Sequence, residues 1–184
     1  GNPKLIEFKE TKISNQKENI QDFLKKQFKT SENIKFRTKT NTLERKLNGY
    51  ESQKLQQYYK GIKVEHGRLN AISKNGNLSK VVGRYISIEN LNSTPSISEQ
   101  QALELALKNI SAEKYIWEDE EQEKPKGEIV IIEKNPRSEK PEPKLAYKFN
   151  ISTIIPFSSL KIYVDANDGE IIYKASLIKH TEGT

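Results

Sequence analysis

The sequence contains neither cysteine nor methionine among its 184 residues. The absence of cysteine excludes disulfide bonds, thiolate catalysis and cysteine-based zinc sites. It leaves the compartment open, because exported bacterial proteins also commonly lack cysteine. Without a methionine, Gly1 is not a native start, so we expect a fragment from which any signal peptide has already been removed.

Long apolar runs are also missing, and none approaches the ~20 residues that a membrane-spanning helix needs. Hydrophobic residues make up 34% of the chain and charged residues 30%, which favours thin sheet-and-helix layers over one deep core. The net charge of +6 comes from 31 basic and 25 acidic residues, with lysine and glutamate interspersed. This pattern is typical of a solvated surface and disfavours nucleic-acid binding, which needs a clustered basic patch.

Histidine is scarce, since His66 and His180 are the only two and lie far apart in the sequence. Neither belongs to a His-Glu-x-x-His motif, which would place two zinc ligands on one helix face. No glycine-rich phosphate loop and no Gly-x-Ser-x-Gly elbow occur. The chain is therefore expected to hold no metal or other cofactor and not to be an enzyme.

A possible calcium loop begins at Asp165 and Asn167 but does not continue. The fifth position of an EF-hand loop needs an oxygen ligand and its twelfth a bidentate glutamate. Gly169 and Ser176 occupy those two positions here. The segment is therefore predicted to be a hairpin turn.

The first half of the chain has the pattern of one helix and several strands. A helix is predicted over 15–28, because Ile20, Phe23, Leu24 and Phe28 recur at helical spacing. Extended segments are predicted at 34–47, 54–59, 62–64, 68–73 and 78–88. The Asn75-Gly76 pair between the last two is a strong hairpin signal.

The second half repeats this organisation after a polar, proline-containing break at 91–96. A helix is predicted to begin after Ser98, with Gln101 completing a capping box. Strands are predicted at 128–133, 145–154, 160–164 and 170–177, and exposed loops at 118–123 and 135–143. The predicted fold class is α+β, with each half a helix packed on an antiparallel sheet.

Two groups of segments resemble known propeptide families. Segments 56–64 (QQYYKGIKV) and 74–78 (KNGNL) resemble the fungalysin/thermolysin propeptide motif. Segments 97–110, 145–149 and 162–172 resemble the PepSY module that follows this motif. The tandem resembles the pro-region of thermolysin-family zinc metalloproteases, which implies two cystatin-like modules, here at 1–92 and 96–184. The family often has a histidine and an arginine before the Gln-Gln pair, where this chain has Ser52 and Lys54.

The resemblance implies an intramolecular chaperone and inhibitor whose partner is the catalytic domain of a zinc metalloprotease, secreted or periplasmic. It implies that the C-terminal tail enters the zinc cleft through Ile178, Lys179, His180, Thr181 and Glu182. The cleavage junction is expected within His180, Thr181, Glu182 and Gly183, with the catalytic domain following Thr184. Tyr58, Tyr59 and Trp117 are candidate interface aromatics, the alternative being that they are half-buried core residues.

Two other interpretations stay open. The chain could be a free-standing PepSY-type protease inhibitor or binding module of the cell envelope, in which case no catalytic domain would follow Thr184. The net charge of +6 also allows a polyanion binder, which steep salt dependence of binding would reveal.

Overall fold

The computed structural model describes residues 4–11, 17–38, 49–75, 77–119, 122–137 and 141–178. The fold is α+β, as the sequence predicted. The chain divides into two compact units. Unit 1 comprises residues 1–91 with 136–143, and unit 2 comprises residues 92–135 with 144–184.

The described residues of unit 1 form one helix and five antiparallel strands. The elements are β1 (Lys4–Thr11), α1 (Lys17–Phe28), β2 (Ile34–Thr38), β3 (Tyr50–Tyr59), β4 (Ile62–Lys74) and β5 (Asn77–Arg84). Neighbouring strands follow the order β2-β3-β4-β5-β1. The helix and the β4–β5 hairpin confirm the sequence prediction, but β4 is one strand of 13 residues rather than two separate strands. The predicted extended segment beyond Thr38 lies outside the described residues.

The core of unit 1 lies between α1 and one face of its sheet. Leu24 of the helix is 1% exposed, as is Ile34 of β2. Gln21 fixes the helix to this strand, because its Oε1 accepts a hydrogen bond from Phe36 N at 3.1 Å and its amide nitrogen donates to Phe36 O. Phe28 stacks on Tyr85 with ring centroids 4.5 Å apart. The apolar stripe of α1 therefore faces the sheet, as its helical spacing predicts.

The described residues of unit 2 contain one α-helix, a short 3-10 helix and antiparallel strands. The elements are α2 (Glu99–Ile110), β6 (Lys114–Tyr115), a short 3-10 helix (Ile116–Glu118), β7 (Glu128–Lys134), β8 (Glu142–Ile155), β9 (Ser158–Asp165) and β10 (Ile171–Ser176). The strands β7-β8-β9-β10 are neighbours in this order, and β6 pairs with the end of β8.

The sequence prediction of a loop over 135–143 is partly wrong, since β8 already begins at Glu142 and includes Pro143. Proline is tolerated near the start of a strand, where its missing N–H costs few ladder hydrogen bonds.

The start of α2 is a capping box. Ser98 Oγ accepts a hydrogen bond from Gln101 N at 3.2 Å, and Gln101 Oε1 accepts one from Ser98 N at 2.9 Å. These bonds satisfy backbone donors that the first helical turn leaves without partners. Ala102 and Ala106 on the inner side of the helix are fully buried. The predicted cap at Ser98 is confirmed.

Substituting Ser98→Ala is expected to lower the free energy of unfolding by about 1 kcal/mol, because the cap hydrogen bond is lost. The matched control is Thr94→Ala, which removes another exposed hydroxyl just upstream. It should change stability by less than about 0.5 kcal/mol. Urea unfolding of both variants measures the difference, and equal midpoints would contradict the role of the cap.

Both helices of the described residues are 12 residues long, and no helix among them is long and apolar enough to cross a bilayer.

Candidate functional site

The Gln56-Gln57 pair lies at a bulge in the sheet of unit 1. Gln56 is paired with Arg68, whereas Tyr58 is paired with Lys63. Residues 64–67 of β4 therefore lie opposite Gln57 alone, and an insertion of this kind bends the strand that carries it. His66 within the bulge adopts a φ of 63°, in the left-handed region.

Both glutamine side chains are buried and make hydrogen bonds to the backbone of unit 1. Gln56 Nε2 donates to Val64 O at 2.7 Å and to Gly67 O at 3.0 Å. Gln57 donates through Nε2 to Ile86 O at 2.6 Å and accepts from Ile86 N at 3.0 Å. Regular strand pairing cannot satisfy the Val64 and Gly67 carbonyl groups at the bulge, so the Gln56 side chain does, while Gln57 joins β3 to the segment after β5. The Gln-Gln pair thus has a structural role within unit 1.

Ser52 and Lys54, which stand where the propeptide family often has a histidine and an arginine, both lie on strand β3. Ser52 Oγ donates to Asn70 Oδ1 on β4 at 2.7 Å. Lys54 is exposed. Ser52 therefore contributes a cross-strand hydrogen bond, and Lys54 contributes a charge to the surface of the sheet.

The three candidate interface aromatics differ in accessibility. Tyr59 is 1% exposed, and its hydroxyl lies 3.3 Å from Leu91 N, from which it accepts a hydrogen bond. Tyr58 is half-buried, with the Arg37 guanidinium 4.5 Å from its ring centroid. Trp117 is also half-buried, and its ring stacks on Tyr115 at 4.7 Å. Tyr59 belongs to the core of unit 1, while Tyr58 and Trp117 keep part of their surface accessible.

The C-terminal tail follows an edge strand of unit 2. Among the described residues β10 pairs with β9 alone, so the backbone groups along its other side face no strand. Leu177 N donates to Ser159 O at 2.7 Å, which extends the β9–β10 ladder by one residue. Ile178 N then donates to Ser176 Oγ at 3.2 Å. The predicted tail and junction residues Lys179, His180, Thr181, Glu182 and Gly183 lie outside the described residues.

The turn between β8 and β9 presents an apolar tip that sequence reasoning missed. Phe157 is 80% exposed and Ile155 is 46% exposed. Thr153 supports the turn, since its Oγ1 donates to Pro156 O at 2.5 Å. The available signal was an aromatic residue directly after a proline, between two predicted strands.

The Asp165 segment forms the predicted hairpin turn. Gly169 N donates to Asp165 O at 3.0 Å, and Asn167 N donates to the Asp165 carboxylate at 2.8 Å. The Lys144 ammonium group lies 4.0 Å from the same carboxylate, which is 1% exposed. Within the part of the chain that the structure describes, no group of three or more His, Cys, Asp or Glu side chains could hold a metal ion.

Tyr147 connects the sheet of unit 2 to the segment before α2. Its hydroxyl donates to Ile97 O at 3.1 Å. Burial raises the pKa of the Tyr147 phenol above its ordinary value, and the nearby Glu99 carboxylate raises it further. The phenol is the donor in this hydrogen bond to Ile97 O.

Two protein families match this chain. The Fungalysin/Thermolysin Propeptide Motif matches residues 37–85, and the Peptidase propeptide and YPEB domain, PepSY, matches residues 96–174. The chain therefore carries a peptidase propeptide motif followed by a PepSY domain, which confirms the tandem that the sequence predicted. Domains of these two kinds are typically non-catalytic, inhibitory and extracytoplasmic.

A solved structure similar to this chain is the Bacillus megaterium YpeB C-terminal domain. It is 16% identical in sequence, with a TM-score of 0.40. The match covers 93% of this chain and 70% of that chain. Comparison with curated proteins found no match.

Proposed function

We propose that this chain is the pro-region of a secreted thermolysin-like zinc metalloprotease, which assists folding of the catalytic domain and inhibits it until cleaved. The observation that carries the proposal is the propeptide motif at 37–85 followed by the PepSY domain at 96–174 in one chain. In this proposal the modules are residues 1–92 and 96–184. Each is a cystatin-like arrangement of one helix on an antiparallel sheet.

Inhibition would use the end of unit 2. An extended peptide can pair with a sheet edge through its main chain, while its side chains fill pockets. Residues 178–182 follow the edge strand β10 and would enter the zinc cleft in this extended form. Cleavage within 180–183 would change an intramolecular interaction into a bimolecular one, so the effective concentration of the inhibitor falls.

Assisted folding would need a surface that binds the native catalytic domain more tightly than its folding intermediates. The apolar tip at Phe157 is the most exposed large hydrophobic group of the described residues. Tyr58 and Trp117 add partly accessible aromatic surface, and aromatic residues are enriched in protein interfaces. These groups are the proposed contacts with the catalytic domain.

The test is inhibition of the cognate catalytic domain by the intact chain over a concentration series. The intact chain is expected to inhibit, and a variant ending at Ile178 is expected to inhibit at least about tenfold more weakly. A tenfold loss corresponds to about 1.4 kcal/mol of binding free energy. Because the truncation lies beyond the last strand, the thermal unfolding curve should stay unchanged and serves as the folding control.

Two outcomes separate the parts of this proposal. Equal inhibition by the intact and shortened chains would contradict the role of residues 179–184 but keep the pro-region. No inhibition by the intact chain would overturn the inhibitor role and favour a free-standing PepSY-type binding module of the cell envelope.

A further inference from the structure

The outer face of the unit 1 sheet is the face that points away from α1. Phe36 of β2 marks the inner face, because the centroid of its ring lies 6.5 Å from that of Phe28 on α1. Neighbouring residues along a strand point to opposite faces, so Arg37 lies on the outer face. Directly opposite residues of antiparallel strands share a face. The register therefore extends the outer face from Arg37 through Gln56 on β3 to Arg68 on β4.

Exposed cations are concentrated on this outer face. Outside the bulge, the outward positions of β2–β5 include no acidic residue. Glu65 within the bulge is buried and pairs with Lys63 at 2.8 Å, and on the adjoining strand β1 Glu7 lies opposite Lys80. The exposed basic side chains at the outward positions are Lys35, Arg37, Lys54, Arg68 and Lys74. The outer face therefore carries an excess of accessible positive charge.

The centre of the outer face is a shallow depression with two cations in its lining. It has a volume of about 360 Å³, and its lining includes Lys54, Gln56, Arg68 and Val82. Lys54 and Arg68 lie diagonally on neighbouring strands, since Arg68 is paired with Gln56, two residues after Lys54. Among the described residues, neither charged side chain has an ion-pair or hydrogen-bond partner. Both charges are therefore available to a carboxylate that enters the depression.

Accessible aromatic and apolar groups accompany these charges. Tyr50, at the start of β3, is 43% exposed, and Tyr58, near its end, is half-buried. Ile72 and Val82 add half-buried aliphatic surface at outward positions of β4 and β5. Tyrosine and arginine are enriched in protein interfaces, which combine an apolar or aromatic centre with a polar rim. The mixture of groups on the outer face therefore fits a protein partner.

The spacing of the two tyrosines disfavours a single-stranded nucleic acid as the partner. In such complexes successive bases stack on aromatic side chains. Tyr50 and Tyr58 stand near the two ends of β3, about 26 Å apart along the strand. The Arg37 guanidinium lies 4.5 Å from the centroid of the Tyr58 ring, and Lys74 Nζ lies 5.2 Å from that of Tyr50. Two rings at this separation, each with a cation over it, do not form one stacking platform.

The dimensions of the outer face suit a small protein interface. The four strands β2–β5 span about 19 Å at the usual strand spacing, and the two tyrosines lie about 26 Å apart. A surface of this size covers about 500 Å², so two partners would together bury about 1,000 Å². Specific interfaces begin near this area, and those at the lower limit are typically transient. A transient interface suits an inhibitor that is released after cleavage.

Charge complementarity defines the chemistry of the partner as acidic, because opposite charges steer two proteins together and like charges exclude wrong partners. Most of the outer face lies within residues 37–85, which match the peptidase propeptide motif. We propose that the outer face, centred on Lys54 and Arg68, docks on an acidic surface of the folded catalytic domain, with Tyr50 as an apolar contact. This inference rests on the proposed function and adds a contact separate from the tail at 178–182.

Binding of the intact chain to a catalytically inactive variant of the cognate catalytic domain tests the proposal, measured by surface plasmon resonance at about 50 and 200 mM salt. The double variant Lys54→Gln, Arg68→Gln is expected to bind at least about tenfold more weakly at the lower salt concentration. The factor should shrink at the higher concentration, because salt screens exposed charges. Tyr50→Ala is expected to bind at least about fivefold more weakly at both concentrations, because an apolar contact is not screened.

Two control variants accompany these measurements. Lys26→Gln, Lys108→Gln removes two charges from exposed positions on α1 and α2 and should bind within about twofold of the unaltered chain, since neither residue lies on the outer face. Tyr50→Phe keeps the aromatic ring and should also bind within about twofold. Both double variants should unfold within about 2 °C of the unaltered chain, because exposed substitutions change stability little.

The chain ending at Ile178 separates the outer face from the tail. This shortened chain should still bind the catalytic domain, and Lys54→Gln, Arg68→Gln should weaken its binding by the same factor. If the double substitution has no effect in the shortened chain, the outer face does not bind by itself and the proposal is wrong.

The remaining outcomes distinguish this proposal from the proposed function. If the double variant at Lys54 and Arg68 binds as tightly as the unaltered chain while the intact chain still inhibits, the outer face is not a docking surface and the proposed function stands. If the intact chain does not bind the catalytic domain, the proposed function fails and this inference fails with it. Equal losses in the test and control double variants would overturn the proposal, because binding would then follow net charge alone. Unchanged binding of Tyr50→Ala, together with equally tight binding of polyglutamate, would overturn it in favour of a flexible acidic peptide.

Discussion

Substituting Gln57→Ala is expected to lower the free energy of unfolding of unit 1 by about 2–4 kcal/mol. The Gln57 side chain is fully buried and makes two hydrogen bonds to the backbone of Ile86, which is itself 2% exposed. Removing the amide leaves a buried N–H and a buried C=O without partners, at about 1–3 kcal/mol each. The space left by the side chain adds a cavity cost.

Chemical denaturation of the intact chain measures this loss. The matched control is Gln100→Ala, because Gln100 is exposed on α2 and its amide bonds only the Glu104 carboxylate, at 3.1 Å. It should change stability by less than about 0.5 kcal/mol. If both variants unfold at the same denaturant concentration, the Gln57 hydrogen bonds do not stabilise the fold.

Substituting Gly83→Ala is expected to have the largest effect, a loss of at least about 3 kcal/mol or failure of unit 1 to fold. Gly83 has a φ of +143°, which residues with a side chain rarely adopt. A Cβ there would lie 2.1 Å from Arg68 O and 2.9 Å from Leu69 Cα. Both atoms belong to the backbone of the paired strand β4, so the clash cannot be relieved by rotating a side chain.

Gly61→Ala is the matched control for this prediction. Gly61 also has a positive φ, +83°, but a Cβ there would meet nothing within 4 Å. It should cost about 1–2 kcal/mol, the cost of the backbone conformation alone. The difference in stability between the Gly83→Ala and Gly61→Ala variants, read from their thermal unfolding curves, measures the cost of the contact between a Cβ at position 83 and the backbone of β4. Equal losses would show that the backbone conformation, and not the contact with Arg68, requires glycine at position 83.

These two predictions concern residues that hold the strands of unit 1 in register. Gln57 fixes β3 to the segment after β5, and Gly83 allows β4 and β5 to approach closely. A shift of one residue in either pairing would move alternate side chains to the opposite face. The set of side chains on each face of this sheet therefore depends on these two uncharged residues.

Elements with strong local signals could be predicted from the sequence. The α2 helix begins directly after Ser98 because the capping box is complete within four residues. The β4–β5 hairpin follows from the Asn75-Gly76 pair, and the turn after β9 follows from Asp165 and its neighbours. The strand β1 was not predicted, because it pairs with β5, more than 60 residues away along the chain. The residues near β1 in the sequence give no indication that it pairs with β5.

The sequence by itself determined the α+β class, the capped second helix and the tandem of a propeptide motif with a PepSY domain, because each depends on residues close together in the chain. The tertiary structure alone decided that Tyr59 is core, that Gln56 satisfies a bulge while Gln57 binds the backbone of Ile86, and that Phe157 projects from its turn. These features depend on strand register and on burial, which arise only when distant segments pair.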